Sequence, residues 1–192
     1  MSRRAVTALV VGAFIALLAG LLLSQMGPRS RVRNLPLAYA SIIREQASAK
    51  HLDPALIAAV IYAESKFEPS TSSAGAEGLM QILPATAYYI AHLSGGTQFT
   101  AGDLATPRIN LAYGSYYLRY LLDHYGGREM LAVAAYNGGL ANVDRWVARA
   151  SASGGQLTVA EIPFPETRDY VLRVLESQRE YRSEYAHELG LR

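Results

Sequence analysis

Apolar positions recur with helical spacing along most of this 192-residue chain, after an opening block that is apolar almost without a break. That block, Ala5–Leu23, runs for nineteen positions interrupted only by Thr7 and two glycines. As a helix it would span about 28 Å, close to the ~30 Å hydrocarbon core of a bilayer. A secretory signal peptide is the competing interpretation. Its apolar region is shorter, roughly 7–15 residues, and ends in a small-x-small cleavage site. Leu21-Leu22-Leu23-Ser24-Gln25-Met26 offers none. Residues 1–26 are therefore expected to be an uncleaved transmembrane anchor, with secretion after cleavage as the alternative. Residues 27–35 follow as a basic linker.

Beyond the linker the pattern changes to amphipathic helices. Pro36–Lys50 places Tyr39, Ile42, Ile43 and Ala47 on one face and Arg44, Glu45 and Ser48 on the other. Asp53-Pro54 is a helix start, a capping carboxylate followed by proline at the first helical position. The helix it opens runs to about Ser65, and Ile57, Val60, Ile61 and Glu64 share one face. A polar loop with Gly75 and Gly78 leads to a second helix from near Pro84 to Leu93. Ser94–Ala105 is a loop, and Thr106-Pro107 is a second cap-and-proline start for a helix over Arg108–Tyr125, ended by Gly126-Gly127. Arg128–Tyr136 is a short apolar helix stopped by Asn137-Gly138-Gly139. Asn142–Ala150 reads as a helical turn or two, Ser151–Val159 as a mobile polar loop, and Pro163–Tyr185 as a long final helix. No segment sustains period-two alternation. The predicted fold class is all-α, one compact helical domain behind an N-terminal transmembrane helix.

Charge alters this picture in one respect. The formal net charge is +2, but five of the eighteen basic residues are Arg3, Arg4, Arg29, Arg31 and Arg33, and all sixteen acidic residues lie beyond Asn34. The remainder carries thirteen basic side chains (eighteen less those five) against sixteen acidic ones, a net of −3. Such a domain has no electrostatic footprint for nucleic acid. The arginines flanking the apolar block are nearly balanced, so charge alone does not orient it.

The candidate chemistry narrows by exclusion. There is no cysteine, so no thiolate nucleophile, disulfide or thiolate metal site. His51, His92, His124 and His187 lie far apart without ligand spacing, and no metal or other cofactor is expected. No nucleophile elbow or phosphate loop appears. Carboxylates and aromatics remain. Tyrosine occurs thirteen times, which fits either ordinary helical core positions or a cleft that stacks on sugar faces. Taken alone, Glu64 is an ordinary glutamate at a helix end. Two features point elsewhere: it lies on the apolar face, where desolvation would raise its pKa, and a glycine-rich turn follows it. A carboxyl with a raised pKa is what a general acid needs at neutral pH.

Four separated blocks resemble the catalytic domain of soluble-type (Slt) lytic transglycosylases, within the goose-lysozyme-like group. They are Glu64-Ser65-Lys66-Phe67-Glu68-Pro69; Ser73 to Gln81 continuing through Pro84-Ala85-Thr86-Ala87; Asn110-Leu111 to Leu121, then Tyr125-Gly126-Gly127 and Ala134-Ala135-Tyr136-Asn137-Gly138-Gly139; and Ile162-Pro163-Phe164-Pro165-Glu166-Thr167-Arg168-Asp169-Tyr170-Val171. Each alone is weak, but all four in this order are specific. The resemblance implies a lysozyme-like domain over residues 36–188. It also implies cleavage of the β-1,4 bond between N-acetylmuramic acid and N-acetylglucosamine in peptidoglycan, without water. The muramyl 6-hydroxyl attacks its own anomeric carbon and leaves a 1,6-anhydromuramyl end.

Carried over, Glu64 would protonate the glycosidic oxygen and then take the proton of that hydroxyl. Two-carboxylate glycosidases need a second acid; Glu68 and Glu77, in the adjoining loop, read as solvated charges. By the same resemblance Ser65 would hydrogen-bond near the acid and substrate, and Gly78, Met80 and Gln81 would line the sugar groove. Tyr136 and Asn137 would close over the site, Tyr170 would reach Glu64, and Glu166 would serve either structural support or substrate contact. The sequence departs from the family in a loop one residue shorter between Glu64 and Gly78, and in Gly138-Gly139-Leu140 where Ala-Gly-Pro is usual. The implied partners are peptidoglycan glycan strands and the cytoplasmic membrane, with the domain outside the cytoplasm and monomeric. A lysozyme-like hydrolase using a water positioned by Asp103 or another acid, and a non-catalytic wall-binding module, are the rival functions.

Overall fold

The computed structural model describes residues 35–95 and 99–191. The expected membrane span lies outside them, and among the described residues no helix is long and apolar enough to cross a membrane. Among the described residues seven α-helices and two short 3₁₀ turns follow in order. They are α1 (Ala40–Lys50), α2 (Pro54–Ser65), α3 (Pro84–Ser94), a 3₁₀ turn (Ala101–Ala105), α4 (Pro107–His124), α5 (Glu129–Gly138), α6 (Leu140–Ala152), a 3₁₀ turn (Val159–Glu161) and α7 (Pro165–Glu184). No strand occurs among the described residues; two isolated antiparallel bridges pair Thr71 with Glu77 and Glu77 with Ile82.

The central element is α2. Every residue from Ala55 to Ile61 is buried, so this helix is covered on all sides instead of on the single face expected from spacing. A helix apolar all round is a core helix. Its N-terminus forms as predicted, with Asp53 accepting from the Ala55 N–H at 3.0 Å and Pro54 opening the helix. It packs most extensively along α7, and α5 also packs on α7.

Several boundaries differ from the sequence expectation. The first helix begins at Ala40, because Tyr39 adopts a left-handed conformation (φ 57°). The chain before it is pinned to α7, where Tyr181 donates to the Pro36 carbonyl at 2.6 Å and Tyr185 to that of Leu35 at 2.5 Å. Leu35 and Leu189, just beyond the expected limits of 36–188, are both buried in the core. Thr106 precedes Pro107 as predicted, but its side chain makes no cap bond. The preceding loop contains a 3₁₀ turn closed by a capping box, in which Thr100 N–H donates to Asp103 Oδ2 at 2.8 Å. Asn137 and Gly138 belong to α5, and Gly139 (φ 84°) makes the break into α6. The helix α6 is thirteen residues long, well beyond a turn or two. The segment after it is anchored by buried Leu157 and by a second capping box between Thr158 and Glu161.

Candidate active site

Glu64 occupies the last turn of α2, where the apolar run ends and the helix leaves the core. The chain then turns away sharply. Lys66 and Phe67 are consecutive left-handed residues (φ 54° and 68°), a conformation costing roughly 1–2 kcal/mol per residue. The turn is held by burial of Phe67, whose ring lies 6.2 Å from that of Tyr181.

The carboxyl of Glu64 accepts a hydrogen bond from the Tyr170 hydroxyl to Oε1 at 2.7 Å. Burial drives its pKa up to about 7, against the smaller downward pulls of the Tyr170 hydrogen bond and the Arg173 guanidinium. Arg173 lies over the Tyr170 ring, 5.9 Å from its centroid. The Tyr170 hydroxyl is itself held far above the ordinary phenol range, by burial first and by the neighbouring Glu64 charge. It therefore donates and does not ionise. A carboxyl poised near neutrality with a fixed phenol donor can give a proton and later accept one.

The loop after Glu64 is clamped from several directions. The Ser65 hydroxyl faces the carbonyls of Leu79 (2.8 Å) and Ile61 (3.1 Å); with its proton toward these acceptors it holds the loop to α2 instead of presenting a donor to the acid. Gln81 Nε2 donates to the Ser70 and Gly78 carbonyls, both at 2.8 Å. The Tyr136 hydroxyl donates to the Met80 carbonyl at 3.0 Å, which fixes a residue of α5 over the loop. Burial and the Glu64 charge both raise the pKa of Tyr136. Met80 itself is fully buried. A Cβ at Gly114 would fall 2.3 Å from its sulfur, so the side chain fills a notch on α4. The groove-lining role expected for it is corrected to core packing, with only its backbone facing Tyr136. Gly78 is also buried, at φ 75°, with Asn110 Nδ2 just 2.3 Å from where a Cβ would stand.

Asn110 was given no role by the sequence. It is fully buried, accepts from the Met80 N–H at 2.8 Å, and donates to the carbonyls of Glu77 (2.8 Å) and Leu104 (3.0 Å). One amide thereby ties the loop to α4. The available signal was a polar residue in register with Leu111, Gly114 and Leu118, all of them buried. Thr167 was likewise missed: it is buried, and its hydroxyl donates to Asn137 Oδ1 at 2.8 Å. Asn137, Gly138, Phe164, Pro165, Glu166 and Thr167 line a groove of about 360 Å³. Tyr136, Asn137 and Tyr170 thus sit on elements adjoining Glu64 or the groove, and Glu166 is an exposed groove wall. Asp103 is engaged in its capping box.

Aromatic rings extend from this site along α4 and α3. The Tyr136 and Tyr117 ring centroids are 5.6 Å apart, Tyr117 stacks on Tyr120 at 6.3 Å, and the Tyr120 hydroxyl meets that of Tyr89 at 3.0 Å.

Comparison with known proteins gives the same architecture. The chain is 33% identical over 150 residues to the soluble lytic murein transglycosylase of Escherichia coli K12, covering 77% of this chain and 23% of that protein. It is 28% identical over 166 residues to the membrane-bound lytic murein transglycosylase C of Edwardsiella ictaluri, covering 75% and 46%. The crystal structure of the 70 kDa soluble lytic transglycosylase from Escherichia coli superposes with a TM-score of 0.73 at 30% identity, covering 82% of this chain and 26% of that one. The chain therefore spans about a quarter of the length of the first curated relatives it matches. Residues 41–159 match the transglycosylase SLT domain model, and the chain belongs to that family.

Proposed function

We propose that this protein is a peptidoglycan lytic transglycosylase that cleaves the β-1,4 bond between N-acetylmuramic acid and N-acetylglucosamine with Glu64 as its single general acid and base. The observation that carries this is the Glu64 carboxyl: desolvated at the end of the core helix, at a pKa of about 7, with Tyr170 on one oxygen. Protonated Glu64 donates to the glycosidic oxygen as the bond to the anomeric carbon breaks. The resulting carboxylate takes the proton of the muramyl 6-hydroxyl as that oxygen bonds to the anomeric carbon, and the 1,6-anhydro ring closes. The nucleophile is held by the substrate itself, which replaces a positioned water and its activating carboxylate.

Around this step Tyr170 keeps Glu64 oriented, Tyr136 and Asn137 border the sugar groove, and Glu166 contacts substrate from the groove wall. Ser65, Gly78 and Gln81 shape the loop that meets the sugars, with Met80 supporting it from beneath. Membrane attachment through residues 1–26, with the domain outside the cytoplasm, fits a wall substrate and the membrane-bound name of one relative.

Mass spectrometry of digested peptidoglycan tests the reaction: 1,6-anhydromuramyl ends are expected, and reducing muramic acid ends in their place would establish a hydrolase. Because the acid form of Glu64 is needed first, turnover should decline as pH rises through about 7. A rate that stays level through about pH 8 would exclude Glu64 as the proton donor.

A further inference from the structure

A second cavity, of about 330 Å³, lies between α6 and the segment leading to α7, and neither Glu64 nor Tyr170 lines it. Trp146, Leu157 and Pro163 supply apolar walls, and Arg149 and Glu161 supply one charge of each sign. Arg149 is exposed, and among the described residues its guanidinium has no acceptor. Glu161 uses Oε2 for the Thr158 N–H (2.9 Å) and hydroxyl (2.7 Å), which leaves Oε1 open. These hydrogen bonds hold the carboxyl below its ordinary pKa, so it is ionised. The cavity has the size and composition of a ligand site: an apolar lining with a few placed polar groups.

Its position relates it to the glycan groove. Phe164 is exposed, lines the groove of Asn137 and Glu166, and meets Trp146 edge-on with ring centroids 5.0 Å apart. Pro163, its neighbour in the chain, lines the second cavity. The two concavities thus lie on either side of Phe164, with Trp146 behind it.

We propose that this cavity binds the peptide arm of a peptidoglycan strand whose sugar occupies the groove beyond Phe164. The apolar walls suit small aliphatic side chains, Arg149 suits a carboxylate, and the open Glu161 oxygen suits an ammonium group. A neutral saccharide would leave both charges without a counterpart. The assignment deepens the proposed activity and rests on it for the identity of the strand. The cavity then makes this enzyme favour strands that still carry their peptides.

The single tryptophan of the chain is Trp146, so its emission reports directly on the cavity without any requirement for turnover. The full-length protein is titrated with a synthetic tetrapeptide bearing a free carboxylate and a side-chain amine, and separately with a chitin tetrasaccharide. A saturable change in emission with the peptide is expected, and it should persist when the saccharide already fills the groove, whose own effect on Trp146 passes through Phe164. Arg149→Glu should weaken the peptide response about tenfold or more, and Arg149→Lys should restore part of it. In parallel, Arg149→Glu should lower kcat/KM on peptide-bearing strands through KM and leave strands stripped of peptide unaffected. Emission that ignores the peptide, responds equally in Arg149→Glu, or loses its peptide response once the saccharide is bound overturns the assignment. If wild-type protein cleaves no strand yet Trp146 responds to the peptide, the peptide site stands and the proposed activity falls.

Discussion

The two ends of α2 carry acidic residues in opposite circumstances. At the N-terminus, Asp53 receives the Ala55 N–H, Gln178 Nε2 at 2.7 Å and the Arg182 guanidinium at 2.9 Å. Gln178 also donates to Glu129 at 3.2 Å, so α2, α5 and α7 are joined by one polar network. At the C-terminus, Glu64 has one phenol donor and a distant cation. The helix dipole favours an anion at the first end and disfavours one at the second. The same helix packed against the same partner therefore has a paired carboxylate at one end and a carboxyl of raised pKa at the other. Glu129 shows that burial alone is not the distinction. Its pKa is also raised by burial and by the Asp53 charge, while the Gln178 hydrogen bond and the Arg182 charge oppose the rise. Glu64 is marked by the size of its rise, to about 7 against the pull of Tyr170 and Arg173, at the end of α2 that leaves the core.

Substitutions can break this contrast. The largest effect should come from Glu64→Gln, which removes the transferable proton and should lower cleavage by about 10³-fold or more. The same variant should be more stable than wild type at high pH. The native state binds a proton at Glu64 between the ordinary carboxylate pKa and about 7, so wild-type stability falls as pH rises through that window. Denaturant titration should show Glu64→Gln gaining on the order of 2–3 kcal/mol at pH 8 and little at pH 4. A variant as unstable as wild type at pH 8 would mean that the carboxyl is not desolvated.

Next in size is Asn110→Ala. It strands the Met80 N–H and two carbonyls, and should cost about 3 kcal/mol in thermal or chemical unfolding. Activity should fall with it, because the loop beneath Tyr136 loses its tie to α4. At the opposite end of α2, Asp53→Ala should destabilise by about 2 kcal/mol through the lost cap and its partners. The pH dependence of turnover should stay the same; a shifted pH profile would show that the two ends are coupled. The smallest effect is expected for Tyr170→Phe. Without the hydroxyl that favours the charged form, the Glu64 pKa rises and the alkaline limb of the pH–rate profile moves to higher pH.

Much of the frame was legible along the chain. Asp53-Pro54 marked the start of α2, Pro107 that of α4, and Gly126-Gly127 the end of α4, because proline geometry and left-handed glycines act within one turn. The family motifs single out Glu64, Tyr136 and Tyr170 in the sequence itself. Less visible were features that depend on partners distant in sequence. Met80 looked like a groove residue until Gly114, thirty-four positions away, provided a notch for it. Asn110 looked like an ordinary polar residue at a helix start, since its three partners come from other elements. The late start of α1 follows from Leu35 and Pro36 being held by tyrosines of α7.

By itself the sequence determined a helical domain with one carboxyl in an apolar setting, because helical period, proline starts and glycine stops are local properties of the chain. Tertiary structure decided which carboxyl is held near neutrality. Desolvation of Glu64 is a collective effect of the elements packed around it, and its one hydrogen bond comes from Tyr170 on α7, a helix that lies beside α2 only in the folded protein.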